Sequence, residues 1–136
     1  MVELLIGKKG AGKTKALIEK VNAASSVASG DVVFICKDLS SIYDIKSKVR
    51  MCETHAFGFS SYRDLLFFIN GIISSNYDIT NVFIDGIFKI IGTDSLDGAE
   101  DFINAIQSLS SKYNVSFVVS MSIDANDAPD YIKALS

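Results

Sequence analysis

Short apolar runs alternate along this chain with longer stretches in which apolar residues recur every three or four positions. Val2 to Ile6, Val32 to Cys36 and Val82 to Ile84 are β-branched or aromatic runs bounded by polar or turn residues, the pattern of buried parallel strands, and Val115 to Met121 is a fourth candidate. The segments between them are long enough for the crossover helices that parallel strands require. From Thr14 to about Ala28, Leu17, Val21, Ala24 and Ala28 line one helical face, and Gly30 stops the helix. From Ser61 onward, Leu65, Leu66, Ile69, Ile72 and Ile73 do the same, with Ser61 and Asp64 placed to share the free amides of the first turn. Asp97 and Glu100 repeat that arrangement ahead of Phe102, Ile103, Ile106 and Leu109. A last short helix is expected from Asp127, with Pro129 in its first turn, where no amide hydrogen bond is lost. The stretch 39–60 stays open: Ile42, Ile45, Val49 and Met51 fit neither period, and a helix, a hairpin or a short extra strand would each suit it. The expected architecture is a three-layer α/β/α sandwich around a mostly parallel sheet, with a ligand at the carboxyl ends of the strands.

Composition narrows this picture. A chain of 136 residues, 49% of them hydrophobic and 21% charged, has room for one domain and enough apolar material for a core. Its apolar runs fall far short of the ~18 to 20 residues that cross a bilayer, so no membrane span is expected. A net charge of -3 offers no general attraction to phosphate backbones, which makes nucleic acid an unexpected partner. The two cysteines, Cys36 and Cys52, form no C-x-x-C pair, arguing against a zinc ribbon or a disulfide framework and fitting a reducing cytoplasm. No secretory h-region is legible at the N-terminus, because Gly7 and the lysines after it interrupt the apolar run.

The chemistry concentrates at Gly7-Lys8-Lys9-Gly10-Ala11-Gly12-Lys13-Thr14, which satisfies G-x-x-x-x-G-K-[ST], the Walker A motif. A chance match in a chain this long is expected well under about one time in a hundred. It follows a strand and precedes a helix, so that successive backbone amides and the helix N-terminus converge on one anionic group. Gly7, Gly10 and Gly12 let the loop wrap phosphates closely. Lys13 is expected at the β- and γ-phosphates, and the Thr14 hydroxyl at Mg²⁺. Lys8, Lys9 and Lys15 are placed to add positive potential at the pocket mouth. Asn81-Val82-Phe83-Ile84-Asp85 supplies a strand ending in an acid, a Walker B candidate that makes Asp85 the expected metal partner.

On these segments the chain resembles P-loop nucleoside triphosphatases. It resembles more closely a group of small ATP-binding proteins from Gram-positive bacteria, through residues Val2 to Ile18, Tyr77-Asp78-Ile79-Thr80 and Val82 to Gly86. The resemblance implies a single P-loop nucleotide-binding domain over 1–136, with ATP and Mg²⁺ as ligands. Many hydrolytic members of that superfamily carry a Glu directly after the Walker B Asp, where this chain has Gly86. Either hydrolysis is slow or another carboxylate serves as base. Asp38 is the first candidate, since recombinase-like relatives carry a catalytic acid just past their second strand, and Glu53 is the second. Ser120 and Ser122 stand where related folds sense the γ-phosphate, although ordinary strand-end hydroxyls are the favoured reading. His55 has no nearby Cys or second His with which to make a metal site.

The function expected from these residues is binding of Mg-ATP, with slow or partner-stimulated hydrolysis acting as a switch, and with Lys13 and Asp38 as the catalytic pair. Two alternatives stand beside it: a small-molecule kinase, weakened by the presence of only Arg50 and Arg63 as arginines, and a non-catalytic module that binds nucleotide and recruits a protein partner or a second copy.

Overall fold

The computed structural model describes residues 1–39 and 44–136. Its strands are β1 (Val2–Gly7), β2 (Asp31–Cys36), β3 (Arg50–Glu53), β4 (Ile79–Asp85) and β5 (Ser116–Ser122). The helices are α1 (Lys13–Val27), α2 (Tyr62–Ser75), α3 (Ile87–Ile91), α4 (Ala99–Tyr113) and α5 (Asp130–Lys133), with a 3₁₀ turn at His55–Phe57. The strands form one five-stranded sheet in the order β1-β5-β4-β2-β3, every neighbouring pair parallel.

Both faces of the sheet are covered, which is why its strands read as unbroken apolar runs and not as alternating ones. Along β2, Val32, Phe34 and Cys36 point to the face of α1 and pack with Leu17 and Val21. Val33 and Ile35 point the other way, into a larger core with Leu65 and Ile69 of α2, Ile87 of α3, Phe102 and Ile106 of α4, and Ile132 of α5. Burial of each such side chain contributes about 1.5–3 kcal/mol. The helix layers follow the chain's course. From β1 it moves through α1 to β2, across the sheet; from β3 it returns through α2 to β4 and through α4 to β5. Parallel crossovers keep one hand, so reversing the direction of travel moves the helices to the opposite face.

Four details complete or correct the sequence pattern. The open stretch 39–60 holds the short edge strand β3, paired in parallel with β2, and the 3₁₀ turn, while Ile42 lies outside the described residues. Asp97 and Glu100 do not cap α4: the N-cap is Gly98 at φ 89°, held against Tyr62, and the acids of the first turn are Glu100 and Asp101. The last helix starts at Asp130 and not at Asp127, whose amide instead closes a turn on the Asp124 carbonyl at 2.9 Å. Pro129 is the N-cap there, at ψ 162°, and the clash of a proline ring with the residue before it keeps Ala128 out of the helix. Finally, α3 fits between Gly86 and Gly92, both in the left-handed region, and buries Ile87, Ile90 and Ile91. No helix among the described residues is long and apolar enough to cross a membrane.

Candidate functional site

β1 and β4 flank β5, and the segments leaving their carboxyl ends depart to opposite faces, α1 to one and α3 to the other. Such a divergence opens a crevice over the strand between. A cavity of about 280 Å³ occupies it. One wall comes from the glycine loop and the start of α1, through Lys9, Gly10, Gly12, Lys13 and Thr14. The other comes from the end of β4 and from α3, through Asp85, Gly86 and Lys89, with Ser120 and Ser122 of β5 as the floor.

The loop wall presents hydrogen-bond donors. Gly12 is the N-cap of α1 at φ 86°, a conformation costing a side-chain-bearing residue roughly 1 kcal/mol or more. It has no side chain to satisfy the first-turn amides, and that turn carries no acid. Those amides, together with the partial positive charge of a 15-residue helix, are therefore left for a ligand's acceptor atoms. The Lys13 ammonium donates to the carbonyls of Gly7 and Lys8, both at 2.9 Å, which ties it across the loop. Partial burial holds Lys13 below its ordinary pKa; the charge of Asp85 acts in the opposite sense, and that of Lys89 reinforces the lowering.

Across the cavity, Thr14 Oγ1 donates to Asp85 Oδ1 at 3.1 Å, and Ser120 Oγ donates to the same oxygen at 3.3 Å. Ser120 is 1% exposed, and its Oγ in turn accepts the Gly86 amide at 2.7 Å. Its hydroxyl proton is thus committed to Asp85, and Ser120 orients the carboxylate instead of facing the cavity as a free donor. A hydroxyl and a carboxylate side by side are hard oxygen donors of the kind Mg²⁺ takes. Among the described residues no group of three or more His, Cys, Asp and Glu is placed to hold a metal. A cation at Thr14 and Asp85 would accordingly draw its remaining ligands from water and from phosphate, as Mg²⁺ characteristically does.

Several of the expected residues lie elsewhere. Gly7 and Lys8 serve through their carbonyls, and the Lys8 side chain pairs with Asp124 at 3.4 Å. The Ala11 amide closes the loop on the Lys8 carbonyl at 3.0 Å. Lys15 is exposed on α1, outside the cavity lining. Asp38 is exposed two residues past β2 and does not line the cavity; its charge acts on Cys36. Glu53 is occupied with the Leu39 amide at 2.8 Å and with His55 Nδ1 at 3.2 Å. Burial, followed by Asp85 and the other nearby acids, pushes the Cys36 thiol up to about 12, so it stays protonated near neutral pH and is no nucleophile. Lys89 is the lining residue that the motifs did not point to. Its one signal was its place a single helical turn beyond Gly86.

A scan against protein-family models finds no match to this chain, and a search of curated proteins finds none of significant similarity.

Proposed function

We propose that this chain is a P-loop nucleotide-binding protein that takes a nucleoside triphosphate, by default ATP, as its Mg²⁺ complex in the crevice over β5. What carries the reading is the convergence on one cavity of the Lys13 ammonium, the uncapped start of α1 and the Thr14–Asp85 pair at 3.1 Å. Polyphosphate needs fixed amide donors and a cation, and magnesium needs oxygen ligands beside them. In this reading Gly10 to Thr14 hold the phosphates, Lys13 neutralises charge at the distal end, and Thr14 and Asp85 hold the metal. Bound there, Mg²⁺ would bridge phosphate oxygens and offset their charge.

Hydrolysis is slow or partner-stimulated in this scheme, and the nucleotide acts as a switch. Among the described residues Asp85 is the one carboxylate that lines the cavity, and its oxygen already accepts two hydroxyls, which supports slow turnover. The absence of Asp38 from the lining supports the same conclusion. A small-molecule kinase is the second reading. Its acceptor would need a place beside the terminal phosphate, and the hollow of about 600 Å³ where the N-terminal ends of α2 and α4 meet shares no lining residue with the crevice.

The test is calorimetry of ATP binding with and without Mg²⁺, on the parent and on Lys13→Ala, with circular dichroism as the control for folding. The substitution is expected to abolish ATP affinity and leave the fold intact. Equal affinity in the two proteins would overturn the reading. Phosphate release with and without a panel of hydroxyl acceptors then separates switch from kinase, since only the kinase has acceptor-dependent turnover.

A further inference from the structure

Beyond the motif residues, the wall opposite the glycine loop carries a cation of its own. Gly86, at φ 70°, turns the chain out of β4 so that the amides of Lys89 and Ile90 both bond to its carbonyl, at 3.0 and 3.1 Å. This turn places Lys89 directly above Gly86. A Cβ at position 86 would meet Cδ, Cγ and Cβ of Lys89 at 3.6, 3.8 and 3.9 Å, so the lysine stem walls the space that a side chain there would enter. The backbone beneath it is anchored, because Ile87, Ile90 and Ile91 are all at most 3% exposed. Among the described residues Lys89 has no carboxylate within ion-pair distance, unlike Lys8, Lys20 and Arg50. Among the described residues that line the cavity, Lys9, Lys13 and Lys89 bring three positive charges and Asp85 one negative. Lys89 bears on Lys13 as a like charge and Asp85 as an opposite one, and an anion between the two lysines adds a further counter-charge.

We propose that Lys89 is a second phosphate-binding cation, supplied by the chain itself, that contacts the terminal phosphate of the bound triphosphate from the wall opposite Lys13. The inference rests on the nucleotide reading above and adds to it a residue and a specificity. With Gly10 and Gly12 on the loop wall, the phosphates nearer the nucleoside lie along the loop, and Lys13 reaches the distal end. The end of the polyphosphate then lies toward Asp85 and Lys89. The Lys89 stem also borders the space that a side chain following Asp85 would enter, and with Gly86 at that position no acid stands there to act on water. The site therefore favours holding a triphosphate over hydrolysing it.

The experiment compares the affinities of a non-hydrolysable ATP analogue and of ADP, each with Mg²⁺, for the parent, Lys89→Ala, Lys89→Arg and Lys13→Ala. Lys89→Ala is expected to lose about tenfold or more for the triphosphate, the size of a charge-assisted hydrogen bond, with under about twofold change for the diphosphate. Lys89→Arg should recover most of the loss. Lys89 is exposed, so neither variant is expected to disturb folding. If Lys13→Ala abolishes binding while Lys89→Ala leaves both affinities unchanged, or lowers both equally, the role of Lys89 is overturned and the nucleotide reading stands. If the parent binds neither nucleotide, both fall together.

Discussion

Thr14 and Asp85, 71 residues apart in the chain, are joined by a hydrogen bond of 3.1 Å from the threonine hydroxyl to a carboxylate oxygen. One residue opens α1 and the other closes β4, and β5 lies between their parent strands. The pair therefore exists only because the crevice over β5 brings the glycine loop against the end of β4. Removing the charge of Asp85 tests what the pair is for. Asp85→Asn keeps the acceptor for Thr14 and should fold as the parent does, but is expected to lose most of the Mg²⁺-dependent gain in triphosphate affinity, about tenfold. Calorimetry across a Mg²⁺ series reads this directly, and an undiminished response to the metal would remove Asp85 from the metal site.

Ser120 is expected to matter for stability more than for ligand choice. Its replacement by Ala leaves the Gly86 amide without the acceptor at 2.7 Å and Asp85 with one hydroxyl in place of two. Losing such a part-buried hydrogen bond costs about 0.5–1.5 kcal/mol, and urea unfolding of Ser120→Ala should show a loss in that range. The preference for triphosphate over diphosphate should be unchanged, which sets Ser120 apart from Lys89. A selective loss of triphosphate affinity in Ser120→Ala would instead make it a phosphate sensor.

The start of α2 carries a pH dependence whose sign is set by geometry. Ser61 Oγ accepts the Asp64 amide at 3.1 Å, and Asp64 Oδ2 accepts the Ser60 amide at 2.9 Å. The bond from the Ser60 amide leads the effects that hold the Asp64 carboxyl below its ordinary value of 3.8. A carboxyl whose folded pKa lies below its unfolded one stabilises the fold above the unfolded value, and that contribution disappears as pH falls through the folded value. Asp64→Asn should accordingly flatten the acid limb of a plot of unfolding free energy against pH, leaving the neutral region as the place where the two proteins differ. Ser61→Ala removes the hydroxyl cap and should cost about 1 kcal/mol at neutral pH, and less in acid, because the Ser61 hydroxyl also helps hold the Asp64 carboxyl down. An unaltered acid limb in Asp64→Asn would show that the carboxylate bond is not held in solution.

Much of this was legible before any coordinates. The glycine loop, the β-branched runs and the Ser61–Asp64 cap are written in neighbouring residues, because strand propensity, helical periodicity and capping act over a few positions of chain. Local pattern fails where a distant partner decides the outcome. Asp97 and Glu100 have the right chemistry for a cap, yet Gly98 adopts the left-handed turn against Tyr62 and takes the N-cap position. The segment Ile87–Ile91 is too short and too apolar to declare its period, and becomes helical between two left-handed glycines over the core.

The composition of the candidate site divides along the same line. The loop Gly7 to Thr14 is shaped by its own residues, since its bonds run from Lys13 to carbonyls five and six residues away. Which groups face that loop depends on strand order, and no local pattern encodes that β5 lies between β1 and β4. Only the assembled sheet brought Asp85, Ser120 and Lys89 to the cavity and left Asp38 outside its lining. The physical reason is one of range: hydrogen bonding and periodicity along the chain act between near neighbours, whereas strand order follows from burying both faces of the sheet at once, a condition that only the whole chain satisfies.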